Sequence, residues 1–303
     1  MKTLIKNGLL IDPANQVQAY LNLILEDGKV VAVTEEEPEA DRVIDATGKV
    51  VAPGFIDIHM HEDPVKDGKI EFCIFDAMLR MGVTTAVGGN CGINVYDPVK
   101  YLDMVEKDGA PVNVMLFAGH QYFREAAGAL DKYAPVTKEQ QEHMKKGLEK
   151  ALEAGCVGIS YGLRYVPGTG RDEFLDTASC CEKEHRMISA HVRDDEDRVF
   201  GAVAEVAEAG KLYNIPVQVS HIGSMAGFGQ MKQLLRQVDG YRMNGIDVAC
   251  DCYPYFAFST RIGATTYDDG WLERYHCDYS ACQLTEGKYK GQRCTPETFA
   301  EMP

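Results

Sequence analysis

The sequence predicts an α/β chain: a (β/α)8 TIM-type barrel lacking its last strand, preceded by a small N-terminal β-sandwich module. Three observations lead there. Beyond residue 53, short strands alternate with amphipathic helices in units of roughly thirty residues, the pattern of a barrel wound strand by helix. The first 53 residues carry strand patterns alone. Histidine and cysteine recur where the predicted strands end.

The N-terminal stretches "TLIKNGLLID", "LNLILEDGKVVAV" and "RVIDATGKVVAPG" alternate apolar and polar residues. They break at Asn-Gly, Asp-Gly and Thr-Gly, which are hairpin turn signals. This module, residues 1–53, ends at Pro53-Gly54. The second unit, residues 54–303, offers seven strands in order: "GFIDIHMH", "TTAVGGNCG", "NVMLFAGH", "CVGISYG", "MISAHVRD", "VQVSHIG" and "DVACDCYPY". Helical periodicity fills the gaps, in "KIEFCIFDAMLRMG", "TKEQQEHMKKGLEKALEAG", "RVFGAVAEVAEAGKLYN" and "QMKQLLRQVDGYRMNG". Thr137 with Gln140 three residues on reads as a capping box, and Gly155 as the stop of the same helix. Seven strands leave the barrel one short of closure.

The net charge of −15 argues against nucleic acid or an anionic membrane as principal partner, since both require a basic surface. No apolar run approaches the roughly 18–20 residues of a membrane span. Asn7, Asp12 and Asn15 interrupt the leader before a signal-peptide core can form, so a cytoplasmic location is expected. The ten cysteines then face a reducing medium and are expected as free thiols or metal ligands. None falls into a CxxC zinc pattern, and adjacent Cys180 and Cys181 read as packing.

Reactive side chains of a (β/α) barrel cluster at the C-terminal ends of its strands. His59 and His61 end the first strand, one residue apart and so on one face. Cys91 ends the second, His120 the third, His191 the fifth and His221 the sixth. Imidazole together with thiolate suits zinc, and three protein ligands with one free position leave a site open for catalysis. His143, His185 and His276 fall in helices or loops and read as structural. "GISYG" matches the GxSxG nucleophile pattern of serine hydrolases, but that motif needs a helix directly after it. Here "LRYVPGTG" follows.

On these residues the chain resembles the amidohydrolase superfamily, through "VAPGFIDIHMHED". The segments "GGNCGI", "GHQYFR", "GISYGLRYVPG", "SAHVRDDED", "VSHIGSMAGFG" and "DCYPY" narrow the resemblance to its D-aminoacylase (N-acyl-D-amino-acid deacylase) branch, over nearly all of the chain. The resemblance implies that Cys91, His191 and His221 hold a tight Zn2+, with His59 and His61 at a second, weaker position. It implies hydrolysis of small N-acyl-D-amino acids by zinc-bound hydroxide, with no organic cofactor, no nucleic acid and no membrane. Many relatives carry a carbamylated lysine on strand four; "CVGISYG" has none, and in this branch Cys91 takes that place.

Two departures shape the expectation. The family's general-base aspartate, at the end of strand eight, would lie beyond Pro303, so no catalytic residue is assigned within the chain. The sandwich module likewise lacks the C-terminal strands that would complete it. A truncated chain that binds metal with poor or absent turnover is therefore expected. Secondly, Gly223 stands where relatives often carry a carboxylate-binding lysine. Arg164, with Tyr253 or Tyr255, is the expected substitute, since a guanidinium fork suits a carboxylate, and His120 is a further candidate contact to substrate. Alternatives are a hydantoinase-like, ring-opening amidohydrolase and a non-catalytic fragment that only binds metal. Acyl preference and oligomeric state are not encoded in these motifs.

Overall fold

The structure, a computed structural model, describes residues 1–302. It divides into two compact units, Met1–Phe55 and the chain from Ile56 onward.

The first unit holds a four-stranded and a three-stranded sheet. Strand Lys2–Lys6 pairs with Asn22–Glu26 and Arg42–Asp45, while Leu9–Asp12 pairs with Val17–Tyr20 and Val50–Val51. Leu4, Leu10, Ile24 and Ala46 are its buried apolar residues. Of the three turn signals read as hairpins, Asp27-Gly28 is one: it joins Asn22–Glu26 to Lys29–Thr34 with φ of 48° and 78°. Positive φ at both central residues is the type I′ geometry that matches strand twist. Asn7-Gly8 and Thr47-Gly48 instead carry the chain from one sheet to the other. A Cβ on Gly8 would stand 2.6 Å from Val51 Cγ2, so that crossover needs a bare backbone.

In the second unit, seven strands form one sheet: β1 Phe55–Asp57, β2 Val83–Gly88, β3 Asn113–Gly119, β4 Gly158–Gly162, β5 Met187–His191, β6 Val217–Val219 and β7 Val248–Cys250. Their spatial order is their chain order, and neighbours from β2 to β7 pair in parallel. A sheet that never reverses its order receives every right-handed crossover on the same face, which is how a barrel curls rather than a doubly wound sheet. Six of the seven strands fall within the predicted segments, and β2 starts one residue before its own, at Val83.

The helices cover that sheet with apolar stripes. Lys138–Glu153 buries Met144, Leu148, Ala151 and Leu152, the i, i+4, i+7, i+8 spacing of one face. Its N-terminus is the expected capping box: Thr137 Oγ1 accepts from Gln140 N at 3.2 Å, and Gln140 Oε1 accepts from Thr137 N at 2.9 Å. The first predicted helix begins later than its periodicity suggests, at Ile74. Residues Lys69–Ile70 pair with Val65–Lys66 through an Asp67-Gly68 turn with φ of 50° and 73°. Among the described residues no helix is long and apolar enough to cross a membrane.

Candidate metal centre

The strand ends deliver four imidazoles and one thiolate to a single rim. Two overlapping triads form there, His59–His61–Cys91 and Cys91–His191–His221, with donor atoms within 4.8 Å of one another in each. Cys91 belongs to both.

Its position is built by the turn "GGNCG". The backbone leaves β2 through Gly89, Cys91 and Gly92 at φ of 73°, 56° and 77°. A non-glycine residue in the left-handed region costs on the order of 1–3 kcal/mol and persists only where neighbours over-determine it. They do so here. Asn90 is fully buried, donates to Ile58 O at 3.1 Å and Val87 O at 2.9 Å, and accepts from Ser189 Oγ at 3.2 Å. From β4, Ser160 Oγ accepts from Gly92 N at 3.0 Å and donates to Gly89 O. A Cβ on Gly162 would meet Cys91 O at 2.2 Å, and one on Gly92 would meet Gly162 N at 2.7 Å. Gly162, the second glycine of "GISYG", thus allows close approach to the cysteine turn, whereas Gly158 makes room for the Met187 backbone of β5. Ser160 is fully buried within β4 and followed by no helix, so it is a brace and cannot serve as an exposed nucleophile.

The acids after His61 are structural as well. Glu62 accepts from Gly89 N at 2.8 Å and Asn94 Nδ2 at 2.9 Å. Asp63 caps the helix Ile74–Arg80, accepting from Ile74 N at 2.7 Å and Phe75 N at 2.9 Å.

The ring geometry fits a metal. Cys91 Sγ lies 3.5 Å from His59 Nε2 and 3.6 Å from His221 Nε2. With Zn–S of about 2.3 Å and Zn–N of about 2.0–2.1 Å, sulfur and nitrogen on one tetrahedral zinc stand roughly 3.6 Å apart. His191 is buried, and its Nδ1 has no hydrogen-bond partner, an orphan that burial should penalise. Burial first, then His221 and His59, holds the His191 pKa well below its usual value. Burial and His59 bring His221 to about 4. Both imidazoles therefore present neutral lone pairs. His61 is open to solvent at the rim, but surrounding protein and then His59 lower its pKa too. His59 differs: burial opposes its charge, yet Asp251 and Cys91 raise it to about 10.

Sequence reasoning missed the residues behind the rings. Asp251, directly after β7, has Oδ1 3.2 Å from His59 Nδ1, an ion-pair distance with the N–H off line for a full hydrogen bond. Ser224 Oγ lies 3.0 Å from His221 Nδ1. The tyrosine ring of Tyr165 packs on His191 with centroids 4.4 Å apart. Asp251 lay inside the quoted "DCYPY", but an acid after a strand has no ligand pattern of its own.

The rings open into a cavity of about 400 Å³, whose walls include Tyr165, Asp195, Tyr253, Tyr255, Phe258 and Tyr275. Tyr253 and Tyr255 thus line the same cavity as the rings. Arg164 is not in that wall: Nη2 donates to Thr265 O at 3.2 Å, and Thr265 Oγ1 donates back to Arg164 O at 2.7 Å. His120 is also outside it, buried with Nε2 3.0 Å from Glu173 Oε1, which accepts from Arg124 Nε at 3.1 Å. At Gly223 a Cβ would stand 2.6 Å from Cys252 Sγ, a side-chain tip that would have to shift to admit a larger residue.

A parallel barrel sheet with a cysteine sulfur and imidazoles converging at its strand ends is the donor arrangement of a metal site of the (β/α)-barrel type. Residues 42–161 match the amidohydrolase family, so the chain carries an amidohydrolase family domain. It is 31% identical over 283 residues to an N-acyl-D-glutamate deacylase of Alcaligenes xylosoxydans xylosoxydans, covering 84% of this chain and 57% of that one. A D-aminoacylase of the same organism is 28% identical, covering 86% and 58%. In structure it is similar to the N-acyl-D-glutamate deacylase of Bordetella bronchiseptica complexed with zinc and a phosphonate inhibitor, with TM-score 0.80, 28% identity and coverage of 96% and 65%. The chain spans just under three fifths of the curated relatives' length.

Proposed function

We propose that this chain carries the metal-binding part of a zinc-dependent hydrolase that cleaves the amide bond of N-acyl-D-amino acids, giving a carboxylate and a free amino acid. The observation that carries the reading is the spacing of Cys91 Sγ, 3.5 Å from His59 Nε2 and 3.6 Å from His221 Nε2, which matches two ligands of one tetrahedral zinc. The zinc and the D-configured substrates of the relatives support the same assignment.

In this reading Cys91, His191 and His221 hold the tighter ion, and His59 and His61 share a second position through the same sulfur. When bound, zinc supplies a Lewis acid for the amide carbonyl and lowers the pKa of water it contacts. The thiolate offsets part of the ion's charge without modification of a lysine. The neutral state of His191 and His221 leaves their nitrogens free to ligate at physiological pH. Tyr165, Tyr253, Tyr255 and Phe258 orient the acyl-amino acid in the cavity and reduce its contact with water. Arg164 and His120 act at one remove, bracing the Thr265 segment and the Arg124–Glu173 pair. A cytoplasmic setting suits the free thiols.

Metal analysis of the purified protein, with parallel assays on N-acyl-D-amino acids, N-acyl-L-amino acids and hydantoins, tests this. Zinc near one equivalent, lost in Cys91→Ala, with whatever turnover the chain shows confined to the D-acyl substrates, is the expected result. Ring opening of hydantoins without deacylation would favour the cyclic-amide reading instead.

A further inference from the structure

His59 and His221 both turn Nε2 toward Cys91 Sγ, and their other ring nitrogens meet different partners. His221 Nδ1 meets the Ser224 hydroxyl at 3.0 Å, and His59 Nδ1 lies 3.2 Å from a carboxylate oxygen of Asp251. A hydroxyl orients a ring. A carboxylate also fixes its tautomer and strengthens the ligand, because the positive charge drawn toward the metal is stabilised behind it.

Asp251 does more than face one ring. Its Oδ1 accepts from His221 N at 2.6 Å, and Oδ2 accepts from Gln218 Nε2 at 2.7 Å. Its main chain grips the same strand end: Asp251 N donates to Val219 O at 3.2 Å, and Ile222 N donates to Asp251 O at 2.9 Å. His221 sits there at φ 33°, a left-handed conformation that needs such support. One side chain, 15% exposed, therefore touches the ring of one candidate ligand and the backbone of another, and these belong to different triads.

We infer that Asp251 is a positioning residue for the metal centre: it sets the His59 ring with Nε2 toward Cys91 and links that ring to the His221 turn. The inference rests on the zinc reading above and adds a residue that touches neither metal nor substrate.

The test is zinc affinity of the full chain, stripped by chelator and titrated against a chromophoric competitor, in four forms: wild type, Asp251→Asn, His59→Ala and the double variant. Asn keeps an acceptor for the His221 N–H while removing the charge behind His59. Asp251→Asn is expected to weaken zinc binding on the order of 10–100-fold, as loss of such partners does, and to change nothing further once His59 is alanine. An equal loss in both backgrounds, or no loss in either, would overturn the inference while leaving zinc binding by the wild type intact. Absence of zinc binding by the wild type would overturn both readings. If Asp251→Asn does not fold, Asp251→Glu in the same two backgrounds replaces it, with the same expected and contrary outcomes, since one added methylene displaces the carboxylate from the ring.

Discussion

Ser160 and Gly92 meet at 3.0 Å inside the barrel, hydroxyl oxygen to backbone N–H, and that contact fixes the turn bearing the Cys91 thiolate. The serine of a sequence that matches a nucleophile motif is thus spent on holding a cysteine. Ser160→Ala is expected to leave the Gly92 donor unsatisfied at a cost of about 1–3 kcal/mol, lowering the melting temperature and zinc affinity together. Covalent labelling of Ser160 by a fluorophosphonate would contradict this.

The glycine pair makes a sharper demand on the same turn. Gly162→Ala would place Cβ 2.2 Å from Cys91 O, against main chain that cannot swing away as a side-chain tip could. The expected outcome is loss of zinc at otherwise retained secondary structure, read by metal analysis and circular dichroism. Gly170→Ala, where a Cβ meets nothing within 4 Å, should bind zinc as the wild type does.

Away from the rings, Glu173 joins His120 and Arg124 in a cluster with side chains 4%, 1% and 1% exposed. Removing one partner of a buried ion pair leaves an uncompensated charge, typically at about 3–5 kcal/mol. Glu173→Ala should therefore strongly destabilise the fold, measured by denaturant midpoint. Arg124→Met with Glu173→Gln together should recover part of that loss. The cluster's distance from the cavity wall predicts unchanged zinc stoichiometry in whatever folds.

Much of this site was legible in the residues themselves. The barrel rule pointed to one rim for Cys91, His191 and His221, but β1 ends at Asp57, so His59 and His61 reach that rim from the segment after the strand and not by strand alternation. Such a rule survives because backbone geometry alone fixes it. What stayed hidden depends on side chains reaching across the fold. Asp251 acquires meaning only when β7 lies beside β6, and Arg164 looks like a free cation until Thr265, 101 residues away, takes its donor. His120 follows a strand as the ligands do, yet it opens the helix His120–Ala126 and turns toward Glu173. Turn signals misled for a related reason: Asn7-Gly8 and Asp27-Gly28 look alike locally, and only the pairing of distant strands makes one a crossover and the other a hairpin.

Glu196 gives a pH signature independent of the metal. Burial, then Asp195, raises its carboxyl to about 7 from an ordinary value near 4.5, and its backbone stands at φ 54°. A carboxyl with a higher pKa folded than unfolded binds its proton more tightly in the fold, so stability is lost as pH rises between those two values. Buried His191 and His221, with folded pKa values below the ordinary one, push stability the other way over part of this range, so the Glu196 contribution is read as a difference. The melting temperature of the wild type minus that of Glu196→Gln should fall from about pH 5 to pH 7; a difference that does not change with pH would contradict it.

The central claim is that one sulfur and neighbouring imidazoles share an ion, and zinc K-edge X-ray absorption on the zinc-loaded protein tests it most directly. One sulfur scatterer at about 2.3 Å beside nitrogen scatterers at about 2.0–2.1 Å is predicted, with the sulfur shell absent in Cys91→Ser. A zinc shell of nitrogen and oxygen alone in the wild type would contradict it.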